Sequence, residues 1–104
     1  MIQRTYQEYN RAMAQKLDDT RIQQELSKLK GWSRKGDEIE KSFSFKNFHE
    51  TMSFVNAVAH IANTLDHHPD MEVGYNKLKI RFSTHSVGGL SENDFAAASK
   101  IDAL

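Results

Sequence analysis

A chain of 104 residues has room for one hydrophobic core and one domain. Its fourteen basic and fourteen acidic side chains cancel, which leaves no electrostatic footprint for direct binding of nucleic acid or of an anionic membrane. The absence of cysteine excludes disulfides, thiolate catalysis and thiolate metal sites and suits a cytoplasmic protein, while no apolar run approaches a membrane span and Met1-Ile2-Gln3-Arg4 does not open a signal peptide.

Ile2, Tyr6, Tyr9, Met13 and Leu17 recur at helical spacing, so residues 1–16 read as an N-terminal extension, an amphipathic helix or an arm with a few apolar anchors. Thr20 and Gln23 form a capping-box pattern ahead of Ile22, Leu26 and Leu29, and Gly31 is expected to stop that helix. Trp32 and the stretch 39–45 read as two strands joined by Lys35-Gly36-Asp37, with Phe43 and Phe45 on one face. Asn47 and Glu50 open a second helix with an apolar stripe of Phe48, Met52, Val55, Val58, Ala59, Ala62 and Leu65. Pro69 follows it and disfavours helical geometry at His68. Met71, Val73 and Tyr75 alternate, as do Leu78, Ile80 and Phe82, which gives two more strands around Gly74-Tyr75-Asn76. Ser91 and Asp94 cap a last helix carrying Phe95, Ala98 and Ile101. The order predicts an α+β domain over residues 17–104: a four-stranded antiparallel sheet with three main helices on one face.

The chemistry concentrates in His67-His68-Pro69 and in His85. Imidazole takes or gives a proton near neutral pH, and paired imidazoles can do both in one small site. Each has a plainer reading. The His67-His68 pair could complement the macrodipole at a helix C-terminus, His85 could be an exposed strand-end histidine, and Asp94 already serves as the N3 acid of a capping box. Zinc is disfavoured, because adjacent histidines in extended chain point apart and no His-Glu-x-x-His pattern occurs. His49 and His60 are read as surface residues of the second helix.

The run Asp66-His67-His68-Pro69, five residues, Tyr75, nine residues, His85 and then Asp94 resembles the signature of the pterin-4a-carbinolamine dehydratases. The likeness extends upstream through Gly31-Trp32, Phe43-Ser44-Phe45-Lys46-Asn47-Phe48 and Phe54-Val55-Asn56-Ala57-Val58. Downstream it continues through Ser83-Thr84-His85-Ser86, Gly89-Leu90 and Asp94-Phe95. It implies dehydration of 4a-hydroxytetrahydrobiopterin to quinonoid dihydrobiopterin, in the recycling of tetrahydrobiopterin used by an aromatic amino acid hydroxylase. On that resemblance His67, His68 and His85 are catalytic, and Asn63 and Asp94 bind substrate, Asp94 also orienting or polarising an imidazole. No cofactor is needed, because loss of water is redox-neutral. The family also implies a homodimer or homotetramer. Some members act instead as protein-interaction modules, of the dimerisation-cofactor or coactivator type, so such a module with weak or no dehydratase activity is the alternative.

One position departs from the family. Where it usually carries an ionisable residue, often glutamate, this chain has Asn63, which can hydrogen-bond but brings neither a proton nor a charge.

Overall fold

The computed structural model describes residues 14–104. The apolar pattern at Ile2, Tyr6, Tyr9 and Met13 lies outside them. Leu17 sits in a non-helical segment tied down by its N–H, which donates to the Leu90 carbonyl at 2.9 Å, and its side chain packs against the core.

Helix α1 spans Asp19–Leu26. It starts ahead of the expected Thr20 cap: Asp18 is the N-cap, its carboxylate accepting the Arg21 N–H at 2.8 Å. A carboxylate caps as well as a hydroxyl and adds a negative charge at the positive end of the helix dipole. Gly31 does adopt the left-handed backbone (φ +80°), but the helix has already ended at Leu26, and a turn closed by the Leu29 N–H on the Leu26 carbonyl intervenes. Strands β1 (Ser33–Lys35) and β2 (Glu38–Ser44) make the first hairpin, and β3 (Asp70–Val73) and β4 (Lys77–Phe82) the second. Helix α2 (Phe48–Leu65) connects them, a 3-10 turn covers His85–Val87, and helix α3 (Glu92–Asp102) closes the chain.

The sheet order is β1-β2-β4-β3, antiparallel throughout, so the two central strands come from different hairpins. Ile39 pairs with Phe82 and Phe43 with Leu78, and on that face Ile39, Leu78, Ile80 and Phe82 are buried against the helices. Fully burying one such side chain is worth roughly 1.5–3 kcal/mol. The opposite parity carries Ser42, Glu72, Lys79 and Arg81, a polar outer face where the Arg81 guanidinium binds Glu72 at 3.0 Å. That hydrogen bond raises the Arg81 pKa above its ordinary value.

Helix α2 buries Val58 and Ala62, as its stripe predicts, and Asn47 caps it by accepting the Glu50 N–H at 2.9 Å. The Glu50 carboxylate reaches back one residue further than a capping box requires, to the N–H of Lys46 at 3.1 Å. Phe48, in the first turn, is half-exposed instead of buried and stacks on Tyr75 with ring centroids 6.5 Å apart. Trp32 packs near Phe82, and its indole N–H donates to both oxygens of Asp102 at 3.0 and 3.1 Å. Lys41 reaches the same carboxylate at 2.9 Å, so the last helix is pinned to β2 and to the start of β1.

Candidate active site

The end of α2 sets the first half of the site. Asp66 takes the left-handed conformation (φ 51°, ψ 43°), its N–H bonding the Asn63 carbonyl and the following His67 N–H bonding the Ala62 carbonyl. This paired closure is the Schellman pattern, usually built on glycine, here made by an aspartate. It turns the chain sharply off the helix, and Pro69 keeps it from resuming helical geometry, so the adjacent histidines part company. His67 turns inward and is largely buried, whereas His68 stays exposed.

His67 Nε2 lies 2.6 Å from Asp94 Oδ1, and its ring stacks on Phe82 at 5.6 Å between centroids with an interplanar angle of 11°. Asp94 has no exposed surface. It opens α3 from the N3 position of the expected capping box, where its Oδ2 accepts the Ser91 N–H at 2.9 Å. The same oxygen accepts the Thr84 hydroxyl at 2.8 Å, and Thr84 Oγ1 lies 2.6 Å from Ser91 Oγ. A buried carboxylate needs such donors, since an uncompensated charge in the interior costs several kcal/mol. His68 Nε2 meets Asn63 Oδ1 at 2.9 Å on the surface of α2. His85 follows Thr84 directly, is exposed, and opens the 3-10 turn.

Of the residues picked out in the sequence, His67 and Asp94 are joined directly, His68 and Asn63 form a second pair beside them, and His85 is one residue from an Asp94 ligand. Tyr75 does not share this place: it lies in the β3–β4 turn, at the opposite end of these strands from Phe82, where it is exposed against Phe48. Thr84, Ser91 and Phe82 are the contributors not picked out for the site. The signal for Thr84 was present, because it shares the parity of Leu78, Ile80 and Phe82 and so continues inward beyond the strand.

A cavity of about 500 Å³ opens beside the second hairpin, lined by Ser42, Phe43, Glu72, Val73, Lys77 and Leu78 among others. It holds no histidine and no proton-transfer group paired as His67 and Asp94 are, so the histidine geometry locates the candidate site. Among the described residues, no three His, Asp or Glu side chains are grouped to hold a metal ion, and no helix is long and apolar enough to cross a membrane.

Residues 15–104 match the profile of the family described as Pterin 4 alpha carbinolamine dehydratase. Proteins provisionally named pterin-4-alpha-carbinolamine dehydratase are similar in sequence. One from Bdellovibrio bacteriovorus is 56% identical over 94 residues, covering 86% of this chain and 78% of its own. One from Nitrosospira multiformis is 54% identical over 88 residues, covering 85% and 78%. Among solved structures, a transcriptional coactivator/pterin dehydratase from Brucella melitensis superposes with a TM-score of 0.82 at 33% identity, over 85% of this chain and 96% of that one. A pterin dehydratase-like protein identified as a RuBisCO assembly factor in the alpha-carboxysome superposes with a TM-score of 0.57 at 25% identity, over 69% and 83%. The chain belongs to the pterin-4a-carbinolamine dehydratase family.

Proposed function

We propose that this protein dehydrates 4a-hydroxytetrahydropterin, the product of an aromatic amino acid hydroxylase, to the quinonoid dihydropterin by histidine acid–base catalysis. The observation that carries the reading is the 2.6 Å pair between His67 and the wholly buried Asp94. Buried carboxylate–imidazole pairs of this kind orient an imidazole and stabilise its protonated form. The reaction requires a proton on the departing 4a-hydroxyl and removal of one from N5. Two imidazoles suffice for this, each positioned proton transfer contributing roughly 10²–10⁴-fold.

In this reading His67 and His85 exchange protons with the pterin, and His68 positions the ring or the leaving hydroxyl with Asn63 as its neutral partner. Asp94 has no surface for a ligand and acts through His67. The 4a-hydroxypterin would be made with a hydroxylase and its dehydration followed with and without this protein. Acceleration abolished by His67→Ala and His85→Ala, but kept in His49→Ala, is expected. A rate equal to the spontaneous one would sink the proposal.

A second reading, a protein-interaction module with weak or no dehydratase activity, draws on Asn63 standing where the family usually carries an ionisable group. It also draws on relatives of this fold described as a coactivator and as an assembly factor. The same assay separates the two.

A further inference from the structure

The hydrogen bonds around Asp94 admit one self-consistent set of directions. The Thr84 hydroxyl has a single hydrogen, and it goes to Asp94 Oδ2 at 2.8 Å. The 2.6 Å contact between Thr84 Oγ1 and Ser91 Oγ therefore runs from Ser91 to Thr84. Ser91 Oγ in turn accepts the Asn93 N–H at 3.2 Å, and the Ser91 N–H adds a second donor to Asp94 Oδ2 at 2.9 Å. Every proton in this buried chain points toward the carboxylate, whose oxygens accept. Oδ1 is then an acceptor only, so the hydrogen on the 2.6 Å bond to His67 sits on Nε2. The other ring nitrogen, Nδ1, makes no hydrogen bond to the described residues. Because no buried side-chain nitrogen or oxygen among them lacks a partner, Nδ1 reaches the solvent side.

We propose that Thr84 and Ser91 are positioning residues that, through Asp94, hold neutral His67 as its Nε2–H tautomer, so that His67 works through Nδ1 and is the base of the pair. The identity of the proton it takes rests on the dehydratase reading; the tautomer does not. In the reaction the N5–H bond breaks, its electron pair becomes the C4a–N5 double bond, and the proton ends on Nδ1. The C4a–O bond breaks with its pair on oxygen, which takes a proton from a separate donor and leaves as water. Nothing is oxidised or reduced. Among the site histidines His67 is the one bonded to a carboxylate, which stabilises the imidazolium formed on accepting that proton. His68 has a neutral amide partner and keeps its positioning role, so the donor is His85.

Long-range ¹H–¹⁵N correlation spectra of the full chain, at a pH where the ring is neutral, read the tautomer without any substrate. The Nε2–H pattern is expected for His67. Thr84→Val removes the donor that holds Asp94, and should give a mixed pattern together with a kcat lowered about 10–100-fold and a nearly unchanged KM. Thr84→Ser should restore both. An Nδ1–H pattern in the wild type, or a Thr84→Val spectrum like the wild type's, would overturn the proposal. If Thr84→Val does not fold, Ser91→Gly keeps the backbone donor and a tolerated N-cap while removing the outer hydroxyl, and the same shift toward a mixed pattern is expected. A protein with no dehydratase activity but an Nε2–H His67 would refute the reaction and leave the tautomer assignment standing.

Discussion

Replacing Asp94 with asparagine changes almost no volume and reverses the logic of the site. The asparagine side chain offers one acceptor oxygen and one NH₂. Thr84 and Ser91 both aim donors at the present Oδ2, so the oxygen must stay there and the NH₂ must face His67. His67 then has to accept at Nε2 and carry its hydrogen on Nδ1, the tautomer opposite to the native one. Three charge-assisted hydrogen bonds become neutral ones, each weaker by about 1 kcal/mol, for a total of about 3 kcal/mol. For a domain of this size that corresponds to a drop in Tm of about 15 °C. The fold should survive, while dehydration falls by roughly 10²–10⁴-fold because the reacting nitrogen now holds a proton. Thermal unfolding and single-turnover dehydration on the same preparation measure both effects. A folded Asp94→Asn protein within a few-fold of wild-type kcat would refute the role given to this carboxylate.

Asp66→Val places a β-branched residue in the left-handed region and should destabilise the protein by about 1–2 kcal/mol in urea unfolding, whereas Asp66→Gly should not. Trp32→Phe removes the donor to Asp102 and should cost about 1 kcal/mol by the same measurement; an unchanged midpoint would show that the pinning of α3 to β1 is idle. Asn63→Glu gives His68 a charged partner in place of a neutral one, and a gain near 1 kcal/mol predicts up to about a fivefold faster dehydration. An unchanged rate there would mean that the group on α2 does not limit catalysis.

Much of the fold was legible because periodicity and burial agree. The stripe on α2, the alternation of Leu78, Ile80 and Phe82, and the Ser91–Asp94 cap are local patterns, and each reappears in the three-dimensional structure. The start of α1 was misplaced because Asp18 and Thr20 both make acceptable caps, and the competition is settled by the turn before the helix. The candidate site was legible in its histidines but not in its wiring. The cap and the resemblance already gave Asp94 both a helix-capping and an imidazole-orienting role. That the imidazole is His67, and that Thr84 joins them, depends on the ends of β4 and α2 and the start of α3 meeting, a juxtaposition no spacing encodes. Tyr75 shows the converse. It stands between the histidines in the family signature, yet β4 carries it to the far end of the sheet from them.

The sheet order has a kinetic consequence. Each hairpin closes between near neighbours in sequence, but the central β2–β4 ladder spans all of α2, and this long-range closure should set the folding rate. Phe82, Thr84, Asp94 and His67 come together only when that ladder and the end of α2 are both in place. Trp32, the sole tryptophan, lies 6.1 Å from Phe82 between ring centroids and so reports the same event. Stopped-flow refolding should therefore show the return of tryptophan fluorescence and of the His67–Asp94 pair in one phase. A binding-competent pocket regained well before the tryptophan signal would contradict this order of assembly.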